Sequence, residues 1–201
     1  MKLYYSPGAC SLSPHIALRE IGIDPELVKV STKTHKTEDG SDFYAINAKG
    51  YVPVLELFDG ARLTEGPAIV QYIADRAPEK HLAPPNGSFE RYRLQEWLGY
   101  INSELHKTFG PLFSPATTEE QKNAIRASLG SRFDWVQQQL GSNPFLMGEQ
   151  FTVADCYLFV ILTWTRYTGI DLGKWPVLAS YVERIMARPA VQAALKAEGL
   201  A

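Results

Sequence analysis

This chain has little cysteine: two in 201 residues, Cys10 and Cys156, which is too few for a disulfide framework. A reducing, cytoplasmic setting is the simplest expectation. It has no excess of basic charge, with 20 Lys+Arg against 22 Asp+Glu and a formal net charge of −2. The absence of a basic cluster argues against a nucleic-acid partner, whose phosphates demand Lys/Arg density on one face. No apolar run reaches transmembrane length, since Val153 to Trp164 is too short and is bounded by polar residues. A membrane partner is therefore not expected. The opening Met1 to Pro7 carries one lysine but no sustained apolar stretch, and Pro7 and Gly8 interrupt it, so no export signal is expected. Internal repeats and low-complexity segments are absent too. With 45% hydrophobic and 21% charged residues, the composition is that of an ordinary globular protein, long enough for one large domain or two smaller ones.

What is there begins with alternating strands and helices. Lys2 to Tyr5 reads as a strand, Leu12 to Ile21 as a helix ended by Gly22, and Leu27, Val28 and Val30 as a second strand. A polar loop follows from Ser31 to Gly40, and Asp42 to Ile46 reads as a short helix. Tyr51 to Phe58 alternates like a strand, and Asp59-Gly60 supplies a hairpin turn before Arg62-Leu63. Thr64 is a suitable N-cap, with Pro67 in the first turn, for a helix from about Glu65 to Ala77. The order β-α-β, then β-β-α, calls for a small mixed sheet with helices on its faces.

Pro78, Pro84, Pro85 and Asn86-Gly87 mark an interdomain linker, and everything after it reads as helical. Leu94, Trp97, Leu98, Ile101, Leu105 and Phe109 form one apolar stripe on a long helix. Beside it lies a polar stripe of Gln95, Gly99, Asn102, Ser103 and His106. A second helix spans about Glu119 to Leu140. The third opens on a capping box, Thr152-Val153-Ala154-Asp155, with Phe151 and Cys156 placed as a hydrophobic staple. Asp155 is thereby read as structural, and this nearly all-apolar helix, Cys156 included, as the buried centre of its domain. Leu178 to Ala187 and Ala190 to Ala197 complete the bundle.

Cys10 is the residue that points to chemistry. It follows the first strand and a Ser6-Pro7-Gly8-Ala9 loop and opens a helix, where free amides favour a thiolate. Cys10-Ser11-Leu12-Ser13 reads C-x-x-S, the C-x-x-C redox motif with its resolving thiol replaced. Such a site makes a mixed disulfide with a small thiol but closes none with its neighbour. A lone cysteine is otherwise a small buried hydrophobe, and from these residues alone the two readings stand level.

Six motifs span the chain: Tyr5-x-Pro7-Gly8-Ala9-Cys10-Ser11-Leu12, Lys49-Gly50-x-Val52-Pro53, Leu63-Thr64-Glu65-Gly66, Glu104-Leu105-His106, Phe151-Thr152-x-Ala154-Asp155 and Ala197-Glu198-Gly199-Leu200. Through them the whole sequence resembles a bacterial, beta-class glutathione transferase, the Cys10 and His106 pair being the feature that picks out this class. The resemblance implies an α/β plus all-α fold: a thioredoxin-like domain (β-α-β-α-β-β-α) over 1–78, a linker over 79–88, and an all-helical domain over 89–201 carrying the hydrophobic substrate site. It also implies glutathione as co-substrate with no metal, a small electrophilic partner substrate, and a cytoplasmic homodimer acting in detoxification.

The same resemblance assigns roles by position. Cys10 and His106 are the implied catalytic pair, His106 donating a hydrogen bond that favours thiolate. Val52 pairs the ligand backbone through its N–H and C=O, and Pro53 is the family's cis-proline. The Gly66 amide suits the γ-glutamyl carboxylate, and Glu65 its ammonium. Ser103 contacts glutathione, across a dimer interface. His35 stands where this class commonly has lysine against the glycyl carboxylate, and Gly99 where it often has asparagine. Tyr5, Phe109, Phe113 and Tyr167 are the candidate walls of the second substrate site. Three activities fit: conjugation of the glutathione thiolate to apolar electrophiles, glutaredoxin-like thiol-disulfide exchange or reductive deglutathionylation through Cys10, and non-catalytic binding of apolar ligands.

Overall fold

Alternation in the first few residues sets the sheet. In the computed structural model, which describes residues 1–201, β1 (Lys2–Tyr5) buries Leu3 on one face and Tyr4 on the other. β2 (Glu26–Lys29) runs parallel to it with Leu27 opposite Leu3, while β3 (Val54–Glu56) runs antiparallel with Leu55 opposite Leu3. β4 (Arg62–Thr64) pairs antiparallel with β3, giving the order β2-β1-β3-β4. A parallel pair needs a crossover. α1 (Leu12–Glu20) supplies it and buries Leu12, Ile16, Ala17 and Leu18. It stops where Gly22 turns left-handed at φ 82°, with the Gly22 N–H on the Arg19 carbonyl and the Ile23 N–H on that of Leu18. α2 (Gly66–Asp75) buries Ile69, Val70, Ile73 and Ala74 and packs on α1 and β4.

The expected mixed sheet is present, with two local corrections. The helix anticipated within Asp42 to Ile46 is a single 3-10 turn, Phe43–Ala45, whose Phe43 closes a small core with Tyr4, Val30 and Val54. Thr64 does not cap α2, because its backbone is already committed to the ladder opposite Val54. Glu65 takes the capping position instead, at φ 68°.

In the helical part, α3 (Phe89–Tyr100) opens on Ser88, whose Oγ accepts the Arg91 N–H at 3.1 Å. Leu94, Leu98, Ile101, Leu105 and Phe109 are all buried, as the stripe predicts, while Trp97 at its edge is half-buried. The helix bearing them is nevertheless not α throughout: Ile101–His106 is π-helical, with wider i→i+5 bonding, before α4 (Lys107–Phe109). α5 (Glu119–Leu140) opens with a capping box between Thr118 and Gln121. α6 (Val153–Thr163) is buried from Val153 to Leu162. Its Asp155 carboxylate, fully enclosed, accepts from the Thr152 N–H and hydroxyl, the Leu146 N–H and the Tyr181 hydroxyl. α7 (Thr165–Thr168) ends at left-handed Gly169, and α8 (Pro176–Met186) follows.

The chain forms two compact units, His81–Met186 being one, and Met1–Lys80 together with Ala187–Ala201 the other. The last helix, α9 (Pro189–Ala197), therefore packs on α1, where the sequence pattern assigned it to the all-helical domain. Arg188 is paired bidentately with Glu20 at the end of α1, at 2.6 and 2.9 Å. The Pro-rich stretch is divided as well: Pro78–Lys80 is a 3-10 turn of the first unit and His81 begins the second.

Candidate active site

In the unit built on the sheet, Cys10 sits at the end of a loop folded by its own backbone. The Ala9 N–H donates to Ser6, and the Leu12 N–H to Ala9. The buried Ser11 hydroxyl meets both the N–H and the carbonyl of Ser6, at 3.1 and 3.2 Å. Glu198 holds the Gly8 N–H at 3.0 Å. Ser13, in the position of a resolving thiol, is buried, and its hydroxyl donates to the Cys10 carbonyl at 2.9 Å. Cys10 itself is half-buried, with its thiol 3.5 Å from the Val52 carbonyl. The Val52-Pro53 bond is cis.

The segment Lys49 to Pro53 joins the other predicted residues of this unit. Lys49 Nζ donates to Thr64 Oγ1 at 2.9 Å and is paired with Glu65 Oε1 at 2.5 Å. Glu65, read as the acceptor of an ammonium, thus already faces one. Gly66 opens α2 and Pro67 brings no N–H, so the Gly66 amide leads the helix. His35, left-handed at φ 52°, meets the Gly50 carbonyl through Nδ1 at 3.0 Å and lies against the Tyr44 ring, centroids 4.8 Å apart. Gly50 is fixed by sterics: its φ is +70°, and a Cβ there would lie 2.6 Å from Tyr44 Cε1. The Asn47 side-chain amide holds the Tyr51 carbonyl at 2.8 Å and ties the segment down. Cys10, His35, Val52, Pro53, Glu65 and Gly66 are thus linked through five consecutive residues.

Ser103 and His106 belong to the helical unit. Ser103 is exposed and its hydroxyl reaches Glu104 Oε1 at 3.5 Å. His106 Nδ1 lies 2.6 Å from the Tyr157 hydroxyl, which donates to Asn102 Oδ1 at 3.1 Å. Burial pushes the imidazole down from 6.5 to about 4, and the adjacent Lys107 acts in the same direction, so the ring is neutral at pH 7. Its edge meets Trp164, centroids 4.9 Å apart, and Trp164 also contacts Phe109 and Phe113 edge-on at 5.7 and 5.5 Å. Phe109 is core, with no exposed surface, whereas Phe113 and Tyr167 are exposed at 50% and 71%. Tyr5 is buried in its own unit. The aromatic ground beside His106 is therefore Trp164 with Phe113. Trp164 is buried, as the apolar pattern of its helix predicts, whereas no sequence signal gives a role to Lys49, Asn102, Tyr157 or Glu198, although Lys49 and Glu198 stand within the quoted motifs.

The chain is similar to known proteins along its whole length. The glutathione S-transferase N-terminal domain family matches residues 1–75, and the C-terminal domain family of the same name matches 100–189. The chain is 48% identical, over the full length of both, to glutathione S-transferase GstA of Escherichia coli O157:H7. The bacterial beta class glutathione S-transferase of Sphingomonas chungbukensis has 49% identity and a TM-score of 0.97, both chains fully covered. A sphingomonad glutathione S-transferase complexed with glutathione has 52% identity and a TM-score of 0.96, again with full coverage of both chains.

Proposed function

The chain belongs to the glutathione S-transferase family, and on that premise we propose that it conjugates the glutathione thiolate to small apolar electrophiles, acting in detoxification. The observation that carries this reading is the continuous set of contacts made by Lys49 to Pro53. It presents a carboxylate already seated on an ammonium and a backbone carbonyl facing a thiol, and the residue after that carboxylate supplies a helix-opening amide. Those groups complement the ammonium, carboxylate, peptide backbone and sulfur of glutathione. With a chlorinated nitroaromatic, the carbon–sulfur bond forms as chloride leaves, and the thiol proton passes to His106 and then to water. Half-exposed Phe113, edge-on to the buried Trp164 ring, offers apolar surface for such a substrate. Burial and orientation supply the rate, since a fixed thiolate beside its electrophile reacts as an intramolecular group.

Cys10 supports a second activity. Its thiol is half-buried, and the hydroxyl of Ser13 is engaged by the Cys10 carbonyl, so exchange proceeds through a mixed disulfide with glutathione and not through an internal one. The same reading makes the protein a cytoplasmic homodimer, which is supported by the class it resembles. No helix is long and apolar enough to cross a membrane.

The test is retention on immobilised glutathione followed by conjugation of a chlorinated nitroaromatic. Retention with turnover is expected, with disulfide exchange lost in Cys10→Ala. Retention without turnover on any electrophile or disulfide favours a binding protein, and absence of retention contradicts the reading.

A further inference from the structure

The Tyr157 hydroxyl has one proton and meets Asn102 and His106. Tyr157 stands on α6, among residues that are otherwise almost wholly apolar. Its O–H donates to Asn102 Oδ1 at 3.1 Å, and its oxygen lies 2.6 Å from His106 Nδ1. A hydroxyl donates once. With that proton on Asn102, the contact with His106 is closed by a hydrogen on Nδ1. A neutral imidazole carries a single N–H, so Nε2 keeps its lone pair. The ring is also held by edge-on contacts with Tyr157 and Trp164, centroids 5.9 and 4.9 Å away. Asn102 and His106 both come from the π-helical segment of that long helix.

We propose that Tyr157, backed by Asn102, is a positioning residue that fixes His106 in its Nδ1–H form, so that Nε2 takes the proton of the glutathione thiol instead of donating one to sulfur. The inference rests on His106 being the group that acts on that thiol. In the step, the S–H bond breaks, its electron pair stays on sulfur, and the proton bonds to Nε2. The imidazolium then directs Nε2–H to the thiolate and Nδ1–H to the Tyr157 oxygen. The run from Nδ1–H through the tyrosine hydroxyl to the Asn102 carbonyl spreads the new charge, as the third group does behind a nucleophile's base.

The surrounding charges fit this task. On the ring's own helix Lys107 opposes protonation, and Glu104 is engaged by Arg132 of α5 at 2.9 Å. On α6, Asp155 is enclosed by its own donors, and Tyr157 is the titratable group that meets the ring. Before glutathione arrives the ring is neutral through burial. A thiolate formed beside it restores its basicity, because an opposite charge favours the imidazolium.

The test uses the full-length protein with glutathione and a chlorinated nitroaromatic, comparing wild type, Tyr157→Phe, Asn102→Asp and His106→Ala. Tyr157→Phe is expected to keep the KM for glutathione and to lower kcat roughly tenfold or more, as losing the group that fixes a base's tautomer does. Asn102→Asp keeps an acceptor behind the hydroxyl and adds charge, so it is expected to retain or raise kcat. A merely structural role predicts loss in both. Nitrogen NMR of the histidines is expected to show His106 protonated on Nδ1 in the wild type and a mixture of tautomers in Tyr157→Phe. The wild-type spectrum decides the point even where the variant fails to fold. His106 carrying its hydrogen on Nε2, or a Tyr157→Phe protein with unchanged kcat and spectrum, overturns the proposal. A fully active His106→Ala overturns the reading beneath it, and is distinguished by leaving wild-type turnover intact.

Discussion

Glu198 accepts the amide hydrogen of Gly8 at 3.0 Å, two residues before Cys10, while its second carboxylate oxygen meets His15 Nδ1 at 2.9 Å. Both side chains are fully enclosed. α9 delivers the carboxylate by stopping at Gly199, φ 72°, where the Gly199 and Leu200 amides close on Lys196 and Leu195. One residue from the far end of the sequence thus ties the thiol loop to the middle of α1.

Replacing Glu198 by alanine leaves the Gly8 N–H and the His15 ring without this buried partner. A loss of about 2–4 kcal/mol is expected, from the cost of unsatisfied buried groups. Urea unfolding measures it, and alkylation of Cys10 should quicken in the folded variant as its loop loosens.

Gly50→Ala is expected to damage glutathione retention more than its size suggests. The backbone is left-handed there, and the new Cβ meets Tyr44 at 2.6 Å and His35 Nδ1 at 3.1 Å. Strain of about 1–3 kcal/mol then falls on the segment that carries Lys49 and Val52. Binding by calorimetry, set against thermal unfolding, separates weaker affinity from lost stability.

Asp155→Ala removes one carboxylate and strands the Leu146 and Thr152 amides and the Tyr181 hydroxyl. Burial pushes the Asp155 carboxyl up, while these same donors pull it back. The expected cost is about 3–5 kcal/mol, measured by equilibrium unfolding, with any activity that remains per folded molecule unchanged.

His106 predicts a pH dependence of stability. Its folded value lies near 4 and its ordinary value at 6.5, so between these pH values the unfolded chain binds a proton that the folded chain refuses. Stability therefore falls as pH drops from 6.5 towards 4, and this contribution levels off below. The full effect is on the order of a few kcal/mol. Urea unfolding over that range should show a shallower decline in His106→Gln than in the wild type.

These contacts differ in how far the sequence announces them. β1 and α5 are plain in it, because alternation and apolar spacing with a capping threonine are local signals. The Thr152 and Asp155 cap is equally local. The π-helical turn is silent, since Ile101, Leu105 and Phe109 keep the four-residue steps of an ordinary helix. Thr64 has a cap's local preference, but strand pairing with Val54, a contact ten residues away, overrides it. The packing of α9 on α1 is silent for a related reason: its amphipathic face says that it is buried, not against what. The Glu198 and Tyr157 contacts span 190 and 51 residues, and no spacing rule reaches that far. Cys10, Val52 and Pro53 were legible through the motifs around them, whereas Lys49 needed the fold to bring it to Glu65.

The central claim is that the protein lowers the glutathione thiol's proton affinity with His106 as acceptor. Its most direct measurement is the ultraviolet absorbance of bound glutathione thiolate, titrated against pH in wild type and His106→Ala. The account predicts thiolate forming in the wild type well below the pH at which free glutathione ionises, and a return towards the free value in His106→Ala. Identical titrations in the two proteins, both at the free value, contradict it.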